Sequence, residues 1–149
     1  MNSNLNINYE SIENKIVESI KENNWGFLIT ELPEESILVG GYIRDLLMGN
    51  RNQLLDIDIV VPENALDICK KIAKKFECKF VALDETRNVG RIIFKEFVID
   101  IACRVGQTII QDLESRDFTI NSIGFDLHER KIIDPQCGLI DLSRLKLNC

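Results

Sequence analysis

The apolar positions of this 149-residue chain change period several times along its length. Between Ser11 and Asn23, the residues Ile12, Ile16, Val17 and Ile20 recur three or four apart, which predicts an amphipathic helix. The polar stretch Met1–Asn8 before it is expected to fray. Glu31–Glu35 reads as a loop. Ile37–Val39 is a short apolar run that ends at Gly40-Gly41, and Tyr42–Met48 reads as a short helix closed by Gly49-Asn50. Leu54–Val61 is rich in branched residues and stops at Pro62, the pattern of a strand. Asn64–Phe76 carries Ala65, Ile68, Cys69, Ile72, Ala73 and Phe76 on one helical face, with Asn64 the expected cap and Asp67 in the first turn.

Further along, Lys79–Leu83, Arg91–Phe94 and Phe97–Cys103 read as strands, the last two joined by a tight hairpin at Lys95-Glu96. Asp117–Ser122 predicts a helical turn with Asp117 as its N-cap. Gly124–Leu127 and Lys131–Ile133 predict a hairpin turning at His128-Glu129, Pro135–Gly138 a loop, and Leu142–Leu147 a last short helix. Helices alternating with strands, then several strands in a row, give an α/β (α+β) domain on a small mixed sheet backed by helices. Residues 1–35 form an N-terminal helical extension, and 36–149 the main domain.

Composition narrows the function. The chain is 45% hydrophobic and 28% charged, as expected of a soluble globular protein, and no apolar run approaches the roughly 20 residues of a membrane helix. No signal peptide is visible, so a cytoplasmic protein with no membrane partner is expected. Its five cysteines form no Cys-x-x-Cys pair, and its one histidine, His128, removes most His-ligated metal sites and Ser-His or Cys-His catalysis. The net charge of −6 argues against a generic nucleic-acid coat. Residues 1–50 hold 3 basic against 8 acidic groups, so the remainder is nearly neutral and a local basic site is allowed. Lys70, Lys71, Lys74 and Lys75 make a basic stripe that reads as a solvated helix face, or as an RNA-backbone contact. No phosphate loop ending in Gly-Lys-Ser/Thr is present.

Four segments carry the candidate chemistry. Asp56 and Asp58 are two apart on a strand, so both carboxylates point to one face, about 7 Å apart. Their repulsion is relieved by a hard divalent cation such as Mg²⁺, which is typically held by one or two carboxylates and substrate phosphates. Gly40-Gly41 sits between a strand and a helix start, where free N–H groups attract phosphate, and Arg44 lies one turn further on. Asp100 is an acidic residue inside the apolar run Phe97–Ala102. It is either a third carboxylate beside the pair, for two metals, or an edge-strand group matched with Arg91 or Arg104. In Ser115–Ser122, Arg116 can grip a phosphate while Asp117 and Asn121, four apart, share a helix face and can read a ribose.

Together the order Gly-Gly-x-x-Arg-Asp, Asp-x-Asp, Arg-Asp-Phe-Thr-Ile-Asn, and Asp134-Pro-x-x-Gly138 with Asp141-Leu142 resembles the head domain of class II tRNA nucleotidyltransferases and bacterial poly(A) polymerases. These belong to the DNA polymerase beta nucleotidyltransferase superfamily. The match runs from about Ser36 to Leu147. The resemblance implies a Mg²⁺-dependent nucleotidyltransferase that adds CMP or AMP, from CTP or ATP, to an RNA 3′ end, that of tRNA first. It implies a two-metal site at Asp56, Asp58 and Asp100, and a nucleotide site at Gly40, Gly41, Arg44, Arg116, Asp117 and Asn121. Three departures stand out. Ser115 replaces the first Arg of the usual Arg-Arg-Asp, the Arg104–Asp112 connection is short, and the chain ends where neck, body and tail domains would begin. The alternatives are a head fragment that needs a partner chain, and a minimal transferase acting on a protein or small molecule.

Overall fold

The computed structural model describes residues 6–50 and 55–147. The expectations for Met1–Leu5, for a strand start at Leu54 and for Cys149 therefore lie outside the described residues. Helix α1 (Tyr9–Glu22) and a 3-10 helix (Gly26–Glu31) precede β1 (Ile37–Val39), α2 (Gly41–Met48), β2 (Leu55–Val61) and α3 (Ala65–Lys75). Then come β3 (Lys79–Asp84), β4 (Val89–Ile93), β5 (Phe97–Cys103) and α4 (Ile109–Glu114). A second 3-10 helix (Thr119–Asn121), β6 (Gly124–Asp126), β7 (Lys131–Ile133) and α5 (Gly138–Leu147) complete the chain.

The strands form one mixed sheet in the order β3-β4-β5-β2-β1-β6-β7. Among the described residues, β2 and β5 are the one parallel pair, joined through α3, β3 and β4, with Asp58 opposite Asp100. A parallel pair requires such a crossover. The predicted hairpin between β4 and β5 is present, closed by the Phe94 N–H donating to the Phe97 carbonyl at 2.9 Å.

Strand alternation sorts the sheet into two faces. On the back, Leu38, Ile57, Ile59, Val61, Ile92, Ile99 and Ile101 join one core with Ile43 of α2 and Cys69 and Ile72 of α3. Residues set apart as an N-terminal extension bury Ile16, Ile20, Trp25, Leu28 and Leu32 in that same core. Trp25 is fully buried and donates from Nε1 to the Tyr42 hydroxyl at 3.2 Å. Burial pushes the Cys69 thiol up to about 12, so it behaves as a small hydrophobe. On the front, the row Asp56, Asp58, Val60 changes from acidic to apolar. The apolar end, with Ile37 and Val39, is covered by Leu113 and Ile109 of α4. The acidic end is left open.

Three local expectations are corrected. Asn64 does not cap α3: it is left-handed with φ 61° and its side chain makes no cap bond. The Asn88 side chain accepts from the Leu66 N–H at 2.7 Å instead, supplying from a loop what Asn64 does not. Asp117 does not cap a helix, because the turn there is three residues of 3-10 helix that begins after Phe118. The last helix starts at Gly138 rather than Leu142, because both Asp134 carboxylate oxygens accept from its first N–H groups, those of Gly138 and Leu139. His128 sits in the predicted β6–β7 turn.

The transferred cap gives a prediction. Asn88→Ala should cost about 1–2 kcal/mol, as loss of a capping acceptor does, whereas Asn64→Gly should leave stability unchanged or slightly raised. Urea unfolding midpoints at constant slope check both; equal losses at the two positions would refute the assignment of the cap to Asn88.

Candidate active site

Asp56 and Asp58 emerge on the front of β2 because Ile57 and Ile59 between and beyond them are drawn into the back core. The parallel register places Asp100 of β5 directly opposite Asp58, on the same face. Next to them, on the β1 side, Val39 is opposite Asp58, and the chain leaves the sheet at Gly40. Gly40 adopts φ 77°, ψ −144°, a region open essentially to glycine. A Cβ there would sit 3.1 Å from Asp58 Oδ2, so the glycine corner packs against the carboxylate. Helix α2 starts at the next residue.

Gly41, Arg44, Asp56 and Asp58 line one open cleft of about 660 Å³, together with Ser19 and Glu22 of α1 and its C-cap Asn23. Arg44 donates from Nη1 to Asn121 Oδ1 at 2.9 Å and from Nε to Asp45 at 3.1 Å. Two expected nucleotide-site residues 77 positions apart are thus in direct contact. Arg116 donates from Nε and Nη2 to Asp112 Oδ1 at 3.2 and 3.1 Å. The positive charge of Arg116, like that of Arg91, reaches Asp58 and favours its ionised form. Asp117 is exposed and outside the 3-10 turn, so it does not share a helical face with Asn121.

The third carboxylate is differently engaged. Arg91 of β4, directly across from Asp100, donates from Nε to Oδ1 at 2.7 Å and from Nη2 to Oδ2 at 3.0 Å. Both Asp100 oxygens are therefore taken, the alternative weighed for it from sequence. As arranged, no three His, Cys, Asp or Glu side chains among the described residues converge closely enough to hold a metal. Asp56 and Asp58 keep the donor chemistry that suits a hard divalent ion: carboxylate oxygens that share one face and repel each other.

Residues 95–148 match the poly A polymerase head domain family. A CC-adding tRNA nucleotidyltransferase of Synechocystis sp. is 40% identical over 121 residues, 81% of this chain and 29% of its own length. The chain belongs to the class II tRNA nucleotidyltransferase and poly(A) polymerase head-domain family. Its fold is that of the family. The structure of a CCA-adding enzyme with CTP superposes with a TM-score of 0.74 at 35% identity, over 89% of this chain and 35% of that one. A tRNA nucleotidyltransferase with a primer tRNA and an incoming ATP analog gives 0.67 at 27% identity, over 79% of this chain and 36% of that one. The chain thus spans about three-tenths of the length of its curated relative.

Within this head domain, the sequence reading missed α4 and with it Asp112. That carboxylate is 3% exposed and holds Arg116 through one oxygen while the other accepts from the Val105 N–H at 2.7 Å. The signal was present: Thr108-Ile-Ile-Gln111 is a capping box, and both of its reciprocal bonds form. The motif at Asp134–Asp141 proves to be a brace. Asp141 accepts from the Thr119 hydroxyl, and a Cβ on Gly138 would lie 2.1 Å from the Thr119 carbonyl oxygen, which fixes the turn that carries Asn121. The lysines of α3 are on the opposite side of the sheet from the aspartates. Lys75 pairs with Glu31, and Lys70 lies 6.0 Å from the Phe80 ring centre, the behaviour of a solvated face.

Burial, then the charges of Asp100 and Asp56, raise the Asp58 carboxyl above its ordinary 3.8. The folded head domain therefore holds the Asp58 proton more tightly than the unfolded chain does. That stabilisation is present at low pH and lost as pH rises from 3.8 through the higher folded value. In the presence of a chelator, Asp58→Asn should match wild type below this window and melt at a higher temperature at pH 7. Thermal melts at the two pH values test this, and equal melting temperatures at pH 7 would contradict it.

Proposed function

We propose that this head domain transfers nucleotides from CTP or ATP to an RNA 3′ end, most specifically that of tRNA, in a Mg²⁺-dependent reaction. The observation that carries the reading is the approach of the Gly40 corner to Asp58 Oδ2, because it sets a phosphate cradle beside paired carboxylates. Support for the substrate comes from relatives named as adding CC to tRNA and from solved relatives with CTP or with primer tRNA.

The reaction is in-line attack of the RNA 3′ oxygen on the α-phosphorus, with the bond to the β-phosphate oxygen breaking and pyrophosphate leaving. The free N–H groups at the start of α2 bind the triphosphate, favoured by the helix dipole. Arg44 and Arg116 grip its oxygens, each held in place by a carboxyl or amide partner, Asn121 and Asp112. Asn121, with Asp117 nearby in sequence, faces the ribose. Asp56 and Asp58 would hold magnesium, and Asp100, which Arg91 engages through both oxygens in this structure, would be the third carboxylate once released. When bound, the metal supplies Lewis-acid charge that acidifies the 3′-hydroxyl and neutralises the leaving pyrophosphate. Positioning and charge do the catalysis, and no general-base histidine is needed.

A second reading has an observation behind it: the chain spans 29% of its Synechocystis relative, which favours a head domain that works with further chain, its own or a partner's.

Asp56→Ala and Asp58→Ala should each lower incorporation of labelled CMP and AMP into tRNA lacking its terminal nucleotides by on the order of 10²–10³-fold or more, the worth of several kcal/mol of metal-supplied charge stabilisation. Retained incorporation by either purified variant overturns the metal assignment. Wild type that binds CTP with Mg²⁺ yet never extends RNA points to the dependent head, and label found solely in protein from a mixed lysate overturns the RNA acceptor.

A further inference from the structure

Arg91 is bonded to a candidate metal ligand, yet the proposed reaction leaves it without a task. Its guanidinium forms a two-bond fork on Asp100, and its side chain is 41% exposed, so it is anchored at one end of its reach and open to solvent at the other. The sheet order defines which side of the site it occupies. The glycine corner and Arg44 follow β1, on one flank of β2. Arg91 lies on β4, beyond β5, on the opposite flank. With strands about 4.8 Å apart, β1 and β4 are separated by roughly 14 Å across the aspartates. In-line transfer brings the incoming triphosphate and the attacking 3′ end to the reacting phosphorus from opposite directions. The flank without glycine corner or Arg44 is therefore the one left for the RNA.

Resting on the reading above, we propose that Arg91 is a positioning residue that masks Asp100 until RNA arrives, then transfers its guanidinium fork from the Asp100 carboxylate to a backbone phosphate next to the RNA 3′ end, freeing Asp100 as a metal ligand. A planar fork binds a carboxylate and a phosphate by the same two-bond geometry, so the exchange conserves its hydrogen bonds. No covalent step is involved. The exchange links the third carboxylate to occupancy by the acceptor, so that the full acidic set is available only when there is an end to extend.

The test uses the 149-residue chain, Mn²⁺ as the metal probe and a tRNA lacking its terminal nucleotides as the RNA probe. Free Mn²⁺ is followed by electron paramagnetic resonance without nucleotide. Wild type should bind one ion well and a second weakly, and saturating RNA should tighten the second. Arg91→Gln should bind the second ion on the order of tenfold tighter than wild type without RNA, the scale of one lost charge-assisted pair. It should also bind RNA several-fold more weakly, with CTP affinity unchanged. Arg91→Lys, which keeps the charge but not the fork, should follow Arg91→Gln in metal binding and stay nearer wild type in RNA binding. Identical Mn²⁺ isotherms for wild type and Arg91→Gln overturn the proposal, as does a second ion in wild type that ignores RNA, or a loss of CTP rather than RNA affinity. The two levels separate cleanly. If Asp58→Asn also leaves the Mn²⁺ isotherm unchanged, the metal site itself is wrong. If Asp58→Asn abolishes binding and Arg91→Gln does nothing, only the masking role falls.

Discussion

Like charge concentrated on one face of the β2–β5 ladder is the constraint around which this molecule is arranged. A parallel register brings Asp58 opposite Asp100, with Asp56 two residues away on the same face. Burial and these neighbours together hold Asp58 back from ionising. Each surrounding cation answers that field from a different direction. Arg91 pairs with Asp100 from β4, and Arg116, held by Asp112, adds positive charge that is felt at Asp58. The fold tolerates the cluster because the back of the same strands is a continuous apolar layer. Ile57, Ile59, Ile99 and Ile101 anchor the ladder from behind, and the cost of the front is borne by hydrophobic burial on the other face.

Much of this was legible in the amino-acid pattern, and the reason differs by element. Branched residues bounded by Pro62 and by glycines announced β1 and β2, and both strand alternation and the Gly40-Gly41 corner are short-range properties that a local reading captures. The seven strands among the described residues follow from such signals. Pairing partners do not: that β5 lies parallel to β2, rather than elsewhere in the sheet, is a long-range outcome, and it alone decides that Asp100 faces Asp58. Helix α4 escaped notice because six residues rich in isoleucine and polar groups have no clear period, although the capping box at Thr108 marked its start. Asn64 misled because an Asn before an apolar helix is the usual cap, and nothing local indicates that Asn88, 22 residues from the N–H it accepts, takes that place.

The candidate site shows the same division. Arg44 and Asn121 were each picked from their own motifs, and the fold joins them by a direct hydrogen bond. Asp117 was picked for a helical position that a 3-10 turn does not provide. Asp112, buried and bonded on both oxygens, had no sequence signal of its own beyond belonging to the missed helix. Residues with candidate chemistry stand out as types. Those that hold them are selected for geometry, and a carboxylate in a polar stretch looks like any other.

The brace between α5 and the second 3-10 turn has a mechanical consequence. With the Thr119 carbonyl oxygen within 2.1 Å of where a Gly138 Cβ would stand, the two backbones meet without any side chain to cushion them. A rotation of α5 cannot be absorbed at that joint, and it passes to Asn121 two residues on, then through the amide to the Arg44 guanidinium. The closing helix is thus coupled through the Thr119–Asn121 turn to the Arg44 guanidinium, and a displacement of the one is felt at the other.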